Sequence, residues 1–368
     1  MAAIFGTFAY IAWRTVQGTL SIGAMIMYYG AFQVGLSSLQ QVLGGLAGLY
    51  EDNLFLTYFH EFQTLERTVH DPSDPRPVPR PMAAGVAFEN VSFSYPDTDR
   101  SAIDNVSFAV RPGEVTALVG ANGSGKTTLV KLLCRLYDPQ QGRITIDGCD
   151  LRQFGLVDLR RAMSVIFQDY AQYQLTARQN IWIGNVALDP DDAAIEAAAR
   201  GSEPPAAITG LRDGSATVLG KVFKDGEELS IGEWQKVALA RAFVRGAEIL
   251  VLDEPTSALD PIAEWRVFEH IREMAPGKAV LLISHRFSTV RMADRIHIVE
   301  QSAIVESGTH AELLALNRRY ARMYDVQARS YREGSAPDGP GEAGAAARPA
   351  DPSQLADPAG RQERGRPD

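Results

Sequence analysis

The sequence predicts an α/β domain built around a parallel sheet, preceded by a helical region that lies in a membrane. A glycine-rich loop at residues 120–128 stands between an apolar run and a helical pattern. Two further apolar runs, 249–252 and 279–283, are uninterrupted, which is typical of strands buried on both faces of a parallel sheet. Among the first fifty residues only Arg14 is charged, as expected of membrane-embedded helices.

The composition is that of a chain with a sizeable core and an acidic balance of charge. The 368 residues predict two or three units of ~100–200 residues each. A formal net charge of -9 argues against a nucleic-acid partner, which needs a basic face. The two cysteines, Cys134 and Cys149, occur in unrelated settings. No disulfide framework is therefore expected, and this part of the chain is predicted to be cytosolic.

Residues 1–70 are predicted to form a partial transmembrane domain. The first apolar piece ends near Trp13 and is shorter than the ~20 residues that cross a bilayer, whereas the second, about 22–47, is long enough. A short loop at 14–19 joins them, and the glycines of the second piece favour close helix packing in lipid. A glycine-rich soluble hairpin is the alternative. Apolar residues over 55–69 recur every three or four positions, which predicts an amphipathic helix leaving the membrane.

Two segments without helix or strand patterns bound the α/β domain. Residues 71–82 contain five prolines, which exclude a helix and predict a stiff, extended linker. The α/β domain is therefore expected at 83–328. Residues 329–368 are predicted to be disordered, because from Gly334 onward Leu355 is the only large apolar side chain. Such a segment buries too little surface to offset its chain entropy.

The glycine-rich loop fits the phosphate-binding pattern G-x-x-x-x-G-K-[ST] in its expected setting, after a strand and before a helix. Its residues are Gly120, Ala121, Asn122, Gly123, Ser124, Gly125, Lys126, Thr127 and Thr128. Glycines let the backbone aim successive N–H groups at phosphate oxygens, and the helix adds its positive end. Lys126 is predicted to reach the β- and γ-phosphates, and Thr127 to ligate Mg²⁺. A chance glycine-rich turn is the alternative.

Polar residues at the ends of later strands predict the rest of a phosphate-transfer site, because ligands of open α/β sheets bind at the carboxyl ends of the strands. Asp253 ends an apolar run and is expected to hold Mg²⁺, while Glu254 polarises an attacking water. Gln168 follows a strand over 164–167 and is a candidate contact for Mg²⁺ or that water. His285 follows the last apolar run and is expected to hydrogen-bond the γ-phosphate or to order the attacking water. Taken singly, each is also consistent with an ordinary polar strand end.

Two more features are candidate nucleotide contacts. Tyr95, at the exposed end of a strand, has a flat face for a purine, with a plain surface tyrosine as the equal alternative. Ser230 and Glu233 form the pattern S-x-x-E, a capping box at the start of an alanine-rich helix. The Ser230 hydroxyl, Gly232 and the free N–H groups there also predict an anion site. Earlier in the chain, residues 175–201 are expected to be helical.

Together these motifs resemble the nucleotide-binding domain of ATP-binding-cassette (ABC) transporters, over roughly residues 84–325. In family order, Tyr95 matches the adenine-stacking loop, 120–128 the Walker A loop, Gln168 the Q-loop, 229–233 the signature, 249–254 Walker B, 257–260 the D-loop and His285 the switch histidine. A membrane helix directly before the cassette is similar to the exporter type.

The resemblance implies a P-loop NTPase cassette with a RecA-like core, an antiparallel β subdomain and a helical subdomain. It implies ATP and Mg²⁺ as ligands, with the metal held by Thr127, Gln168 and Asp253. In the family scheme Glu254 is the general base and His285 the linchpin of the site, with Gln168 assisting.

The resemblance also implies a partner. Two cassettes pair head to tail, as a homo- or heterodimer, and Ser230, Gly232 and Glu233 of one contact the ATP bound to the other. The implied protein is an ATP-hydrolysing half of an exporter, multi-pass in the cell (inner or plasma) membrane, with a cytoplasmic cassette and an unknown cargo. A truncated remnant that binds ATP without transport, or a soluble ABC ATPase, are the alternatives. A small-molecule kinase is least favoured, because it needs neither the signature nor His285.

Three departures from the family pattern matter. Ile231 replaces the first glycine of the usual LSGGQ, which is expected to weaken the partner's site, and Glu233 in place of glutamine is a milder change. Residues 217–223 differ from the TEVGERG-like stretch common in exporters, which puts interdomain coupling in doubt. An exporter half also has six transmembrane helices, whereas only the end of the fifth and the sixth are evident. The chain is therefore expected to be the C-terminal part of a longer protein.

Overall fold

A computed structural model describes residues 2–96, 98, 100–202, 210–222 and 226–333 of the chain. The contacts divide the chain into two compact units, residues 1–70 and 71–368. Each unit has its own character, helical in the first and α/β in the second.

The first unit consists of helices α1 (Ala2–Val16) and α2 (Ile22–Gln63). Ser21 caps α2, because its hydroxyl oxygen accepts a hydrogen bond from the N–H of Ala24. With 42 residues, α2 is long and apolar enough to cross a membrane, by length and composition. The expected spanning helix and its amphipathic extension are thus one continuous helix. It ends at Gln63, so Leu65 and Val69, which were expected in the extension, lie beyond it.

The second unit contains two sheets. The first, of order β2-β1-β4-β5 and antiparallel throughout, consists of β1 (Val86–Ser94), β2 (Ser101–Val110), β4 (Gln141–Ile146) and β5 (Cys149–Asp150). The second, of order β10-β9-β3-β8-β7-β6, consists of β3 (Val115–Val119), β6 (Met163–Ile166), β7 (Ile249–Asp253), β8 (Ala279–Ile283), β9 (Arg295–Glu300) and β10 (Ala303–Gly308). The predicted α/β cassette, with its antiparallel subdomain, is confirmed.

The central strands β3, β7 and β8 are buried along their whole length. Alternate side chains enter two separate cores, since Leu250 and Leu252 pack in one cluster and Ile249 and Val251 in the other. A strand covered on both faces favours apolar residues along its length, which explains the apolar runs at 249–252 and 279–283. The sheet is therefore the middle layer of the unit.

The parallel register sets the position of every loop that follows these strands. Ile283 at the end of β8 pairs with Leu118 of β3 on one side and with Asp253 of β7 on the other. The segments that begin at Gly120, Glu254 and Ser284 consequently leave the sheet at the same edge and at nearly the same level.

The described part of the second unit also contains nine α-helices. They are α3 (Lys126–Leu133), α4 (Leu156–Arg161), α5 (Ala177–Trp182), α6 (Ala193–Gly201), α7 (Ile231–Phe243), α8 (Pro261–Met274), α9 (Phe287–Val290), α10 (His310–Ala315) and α11 (Arg319–Glu333). The segment 175–201, expected to be helical, consists of two helices with a turn between them. A capping box at Thr176 begins α5, a 3-10 turn ends it, and Asp192 caps a second helix, α6. Of the segment 217–223, Phe223 lies outside the described residues.

The proline-rich segment lies along the surface of the second unit. The N–H of Arg76 donates to the carbonyl oxygen of Gln153 at 2.8 Å, and the N–H of Val78 donates to Asp158 Oδ2 at 2.8 Å. Val78 and Met82 are buried in the core. Residues 71–82 contain no helix, as their prolines predict, and they are fastened to the α/β unit by these contacts.

The C-terminal helix α11 packs on the same unit through Tyr320, which is fully buried and whose hydroxyl lies 2.6 Å from His310 Nδ1. Burial raises the pKa of Tyr320 to about 12. The helix continues to Glu333, past the expected start of the tail at 329. The rest of the predicted disordered tail, from Gly334, lies outside the described residues.

Candidate functional site

The loop between β3 and α3 passes so close to neighbouring backbone that two of its glycines cannot be replaced. A Cβ on Gly120 would overlap the carbonyl oxygen of Val299. A Cβ on Gly125 would lie 2.5 Å from the carbonyl oxygen of Ala102, and Gly125 also has a left-handed backbone with φ +106°. Only glycine tolerates both conditions. The loop is therefore a fixed backbone cradle in front of the start of α3.

Lys126, the first residue of α3, folds back over this cradle. Its Nζ donates to the carbonyl oxygens of Gly120 at 2.8 Å and Ala121 at 2.9 Å. Burial lowers the pKa of Lys126, and the carboxylates of Asp253 and Glu254 partly oppose that shift. A buried ammonium held by neutral carbonyls gains strongly from an anion, so the cradle has the chemistry of a phosphate site.

Thr127 and Asp253 form an oxygen cluster beside the cradle. Thr127 Oγ1 donates to Asp253 Oδ2 at 3.0 Å, which joins the start of α3 to the end of β7. Burial raises the pKa of Asp253, against the hydrogen bond from Thr127. Gln168, two residues beyond β6, lines the same cavity. Hydroxyl, carboxylate and amide oxygens are the ligands that Mg²⁺ prefers, so these residues fit that metal.

Glu254 and His285 form a pair at the ends of adjacent strands. Glu254 Oε1 lies 2.9 Å from His285 Nδ1. Glu254 has φ +52°, a left-handed conformation that is rare for a residue with a side chain, and its N–H donates to the carbonyl oxygen of Ile283 at 2.8 Å. Such conformations cluster at functional sites, where surrounding contacts hold them. The carboxylate and imidazole together can accept, hold and pass on a proton.

These groups line two cavities, which share Asn122, Gln168 and Glu254 in their walls. The first, about 410 Å³, is bordered by the predicted residues Tyr95, Asn122, Gly123, Gly125, Lys126, Thr127, Thr128, Gln168, Asp253 and Glu254. The second, about 880 Å³, is bordered by Gly120, Asn122, Gln168, Glu254 and His285, together with residues of α11. The structure thus brings the predicted loop and strand-end residues together at one edge of the sheet.

Tyr95 stands in the wall of the first cavity. Its hydroxyl shares a hydrogen bond of 3.1 Å with Thr128 Oγ1, and its ring meets those of Phe93 and Tyr137 edge to face. Lys131 Nζ lies 5.4 Å from the ring centroid. The ring is therefore fixed beside the loop helix, and its stacking on a purine stays a prediction.

The signature residues lie at the start of α7, away from both cavities. The predicted capping box is confirmed, because the Glu233 N–H donates to Ser230 Oγ at 3.3 Å and the Ser230 N–H donates to Glu233 Oε2 at 2.7 Å. Ile231 is the first helical residue and its side chain is 71% exposed. Its branched side chain therefore enters solvent. A Cβ on Gly232 would lie 2.9 Å from the carbonyl oxygen of Ala258, a close approach that favours glycine.

Gln235 is a site residue that the sequence reading missed. Its side chain is buried, and its Nε2 donates to the carbonyl oxygen of Glu254 at 3.0 Å and to Ser257 Oγ at 3.2 Å. Its Oε1 accepts from the N–H of Ala258 at 2.9 Å. One amide therefore ties the signature helix to the segment behind Glu254. The sequence pattern that could have indicated this role is a glutamine on the apolar face of an alanine-rich helix.

Arg286 and Glu264 form a second connection that the sequence reading missed. The Arg286 guanidinium donates to the carbonyl oxygens of Ser257 at 2.6 Å and Leu259 at 3.3 Å, and it lies 3.6 Å from the buried Glu264 carboxylate. Glu264 also accepts from the hydroxyls of Thr256 and Thr289. No local pattern pointed to this pair, because its partners are far apart in sequence.

Comparisons with known proteins agree with this geometry. Residues 103–257 match the ABC transporter family model. The chain is 37% identical over 309 residues to an ATP-dependent lipid A-core flippase of Alkalilimnicola ehrlichii, with 84% of this chain and 51% of the relative covered. It is 33% identical over 311 residues to the subtilin transport ATP-binding protein SpaT of Bacillus subtilis, with 83% and 50% covered.

Among solved structures, the chain resembles that of a bacterial Atm1-family ABC exporter with ATP bound. The TM-score is 0.68 at 32% identity, and the match covers 88% of this chain and 56% of the other. The chain spans about half the length of the curated relatives it matches.

Gly120→Ala should lower the affinity for a fluorescent nucleoside triphosphate by tenfold or more, because its methyl group displaces the cradle from Val299. Titration of the purified chain measures the affinity. Gly155→Ala is the matched control, since Gly155 has an ordinary φ of -66° and a new Cβ there makes only van der Waals contact. Unchanged affinity in Gly120→Ala would contradict the cradle.

Asp253→Asn should raise the melting temperature of the nucleotide-free chain near neutral pH. Burial raises the pKa of Asp253 in the folded state. Ionisation of its carboxyl group therefore lowers the free energy of unfolding as the pH rises through that pKa. The gain should shrink as the pH falls toward and below the ordinary aspartate pKa, where wild-type Asp253 is protonated. Scanning fluorimetry at a series of pH values tests this, with the exposed Asp104→Asn as control. A lower melting temperature at neutral pH would refute it.

Proposed function

The second unit belongs to the ABC transporter family, and from that premise we propose that this chain is the ATP-binding and ATP-hydrolysing part of a membrane exporter. The observation that carries the proposal is the convergence of Lys126, the Thr127–Asp253 pair and the Glu254–His285 pair on connected cavities at one sheet edge.

ATP binding follows from the cradle. The phosphate oxygens accept hydrogen bonds from the N–H groups of the loop at 120–128 and of the start of α3. The ammonium group of Lys126 then donates to phosphate oxygens in place of the carbonyl oxygens of Gly120 and Ala121. The purine stacks beside Tyr95, whose ring is already held by Thr128 and its aromatic neighbours. An aromatic face against a base contributes ~1–3 kcal/mol in nucleic-acid sites of similar chemistry.

The residues that fit Mg²⁺ are Thr127, Gln168 and Asp253. Bound there, the metal supplies neutralisation of phosphate charge. Asp253 suits this role because its carboxylate is buried and costly to ionise alone, so a cation beside it restores the charged form.

Hydrolysis uses the pair at the ends of β7 and β8. A water oxygen attacks the γ-phosphorus in line with the bond to the β,γ-bridging oxygen. That bond breaks with its electron pair going to ADP, and the proton of the water goes to the Glu254 carboxylate. His285 Nδ1, 2.9 Å from Glu254, orients the carboxylate.

A second cassette completes the site. Ser230, Gly232 and Glu233 lie at an exposed helix start and border neither cavity of their own chain. A helix N-terminus with free N–H groups binds an anion, so these residues serve the γ-phosphate of ATP on a partner cassette. Ile231 projects from the same surface, toward that partner, and is expected to weaken the partner's site.

The membrane part is α2, in a partial transmembrane domain at 1–70 that leads through 71–82 to a cytoplasmic cassette at 83–328. The exposed apolar side chains along α2 match a lipid environment in a multi-pass assembly of the cell membrane. Relatives are named for lipid A-core flipping and for subtilin transport, so the class of cargo stays open.

Glu254→Gln should lower kcat for Mg-ATP hydrolysis by ~10²–10⁴, because the amide cannot accept the proton of the attacking water. Nucleotide affinity should change less than about threefold, since the cradle is intact. Phosphate release by the purified full chain in lipid nanodiscs measures turnover, and chelation of Mg²⁺ should abolish it.

The exposed Glu269→Gln is the matched control and should hydrolyse ATP at the wild-type rate. A wild-type chain that binds ATP without turnover would contradict the proposed activity. An active Glu254→Gln variant would remove Glu254 from the role of general base.

A further inference from the structure

The C-terminal helix α11 holds the backbone of the switch-histidine loop through one amide side chain. Gln327 Nε2 donates to the carbonyl oxygen of His285 at 3.2 Å. Gln327 Oε1 accepts from the N–H of Phe287 at 2.8 Å. We infer that Gln327 is a positioning residue for His285, an inference that rests on the proposed ATPase function.

Gln327 is itself held in place by an aromatic anchor. Tyr320, Tyr324 and Gln327 follow at steps of four and three residues, which places them on one face of α11. The rings of Tyr320 and Tyr324 lie 5.2 and 5.7 Å from that of Phe287. The Tyr320 hydroxyl is bonded to His310. The helix is therefore fixed against the same short loop that Gln327 contacts.

The backbone is what determines where the His285 imidazole lies. The His285 side chain is 52% exposed, so packing constrains it weakly. Its loop runs from the end of β8 at Ile283 to the start of α9 at Phe287. On the sheet side, the N–H of Ser284 donates to the carbonyl oxygen of Leu118 at 3.4 Å. From α11, Gln327 contacts both the His285 carbonyl and the N–H of Phe287 at the start of α9, so the sheet and α11 each hold the loop by backbone hydrogen bonds.

This grip acts on the hydrolytic pair. His285 Nδ1 must stay within hydrogen-bond distance of Glu254, and a shift of about 1 Å in such a contact lowers turnover strongly. The groups assigned to ATP binding are the cradle that follows β3 and Lys126, the first residue of α3, and neither belongs to the loop that Gln327 contacts. A defect at Gln327 should therefore appear in kcat and leave KM nearly unchanged.

Two substitutions separate the two halves of the amide. Gln327→Met keeps the length of the side chain and removes both hydrogen bonds. Gln327→Glu keeps an acceptor for the N–H of Phe287. When ionised, however, its carboxylate has no donor for the carbonyl oxygen of His285. In the full chain in nanodiscs, both should lower kcat about tenfold near pH 8 with KM changed less than twofold.

The pH dependence of Gln327→Glu identifies the positioning role. When protonated, the carboxyl group introduced by this substitution donates to the His285 carbonyl and accepts from Phe287, as the amide does. The kcat of Gln327→Glu relative to that of Gln327→Met should therefore rise as the pH falls from 8 toward 5, where part of a carboxyl group with an ordinary pKa of ~4.3 is protonated. Amide hydrogen exchange at Phe287 should accelerate in Gln327→Met and stay slow in Gln327→Glu. Asp325→Met, on the exposed side of α11, is the control and should match the wild type.

The outcomes distinguish this inference from the proposed function. A wild-type chain without ATPase activity overturns both. An active wild type with unchanged kcat in Gln327→Met, or a ratio of kcat between the two variants that does not vary with pH, overturns the positioning role alone. A rise in KM with kcat unchanged also overturns it, since that places the effect in nucleotide binding.

Discussion

The parallel pairing of β3, β8 and β7 is the constraint on which the site depends. Because Leu118, Ile283 and Asp253 pair across the sheet, the loops that follow the three strands begin at one level. Each strand is buried on both faces, so charged side chains first occur where the strands end. Lys126, Glu254 and His285 are separated by long stretches of sequence, and this register alone brings them together.

The site brings together charged side chains whose burial lowers the stability of the folded chain. Burial lowers the pKa of Lys126 and raises that of Asp253, so each ionised form is destabilised by the same dry surroundings. Glu254 adds a left-handed backbone conformation. These features are unfavourable for stability alone and favourable for binding a polyanion with a metal, which is the trade expected at a functional site.

The sequence was most informative where function depends on local pattern. Neighbouring residues alone encode three such features: the loop at 120–128, the buried run before Asp253 and the Ser230–Glu233 capping box. These local patterns were sufficient to predict the class of fold. The helical pattern expected over 175–201 is divided into two helices by a 3-10 turn at 183–185 and by the Asp192 cap. Gln235, Arg286 and Gln327 were invisible for a different reason. Each acts on backbone groups of another element, and tertiary contacts of that kind leave no periodic signal.

The central claim is that Glu254 and His285 act as one unit at the ends of adjacent strands. A double-mutant cycle on kcat, with Glu254→Gln, His285→Ala and the double variant in the full chain, tests it directly. The double variant should be no more than about threefold slower than Glu254→Gln alone, because without the base the histidine has no carboxylate to orient. Losses that multiply in the double variant would contradict the account, since they would mean that the two side chains act independently.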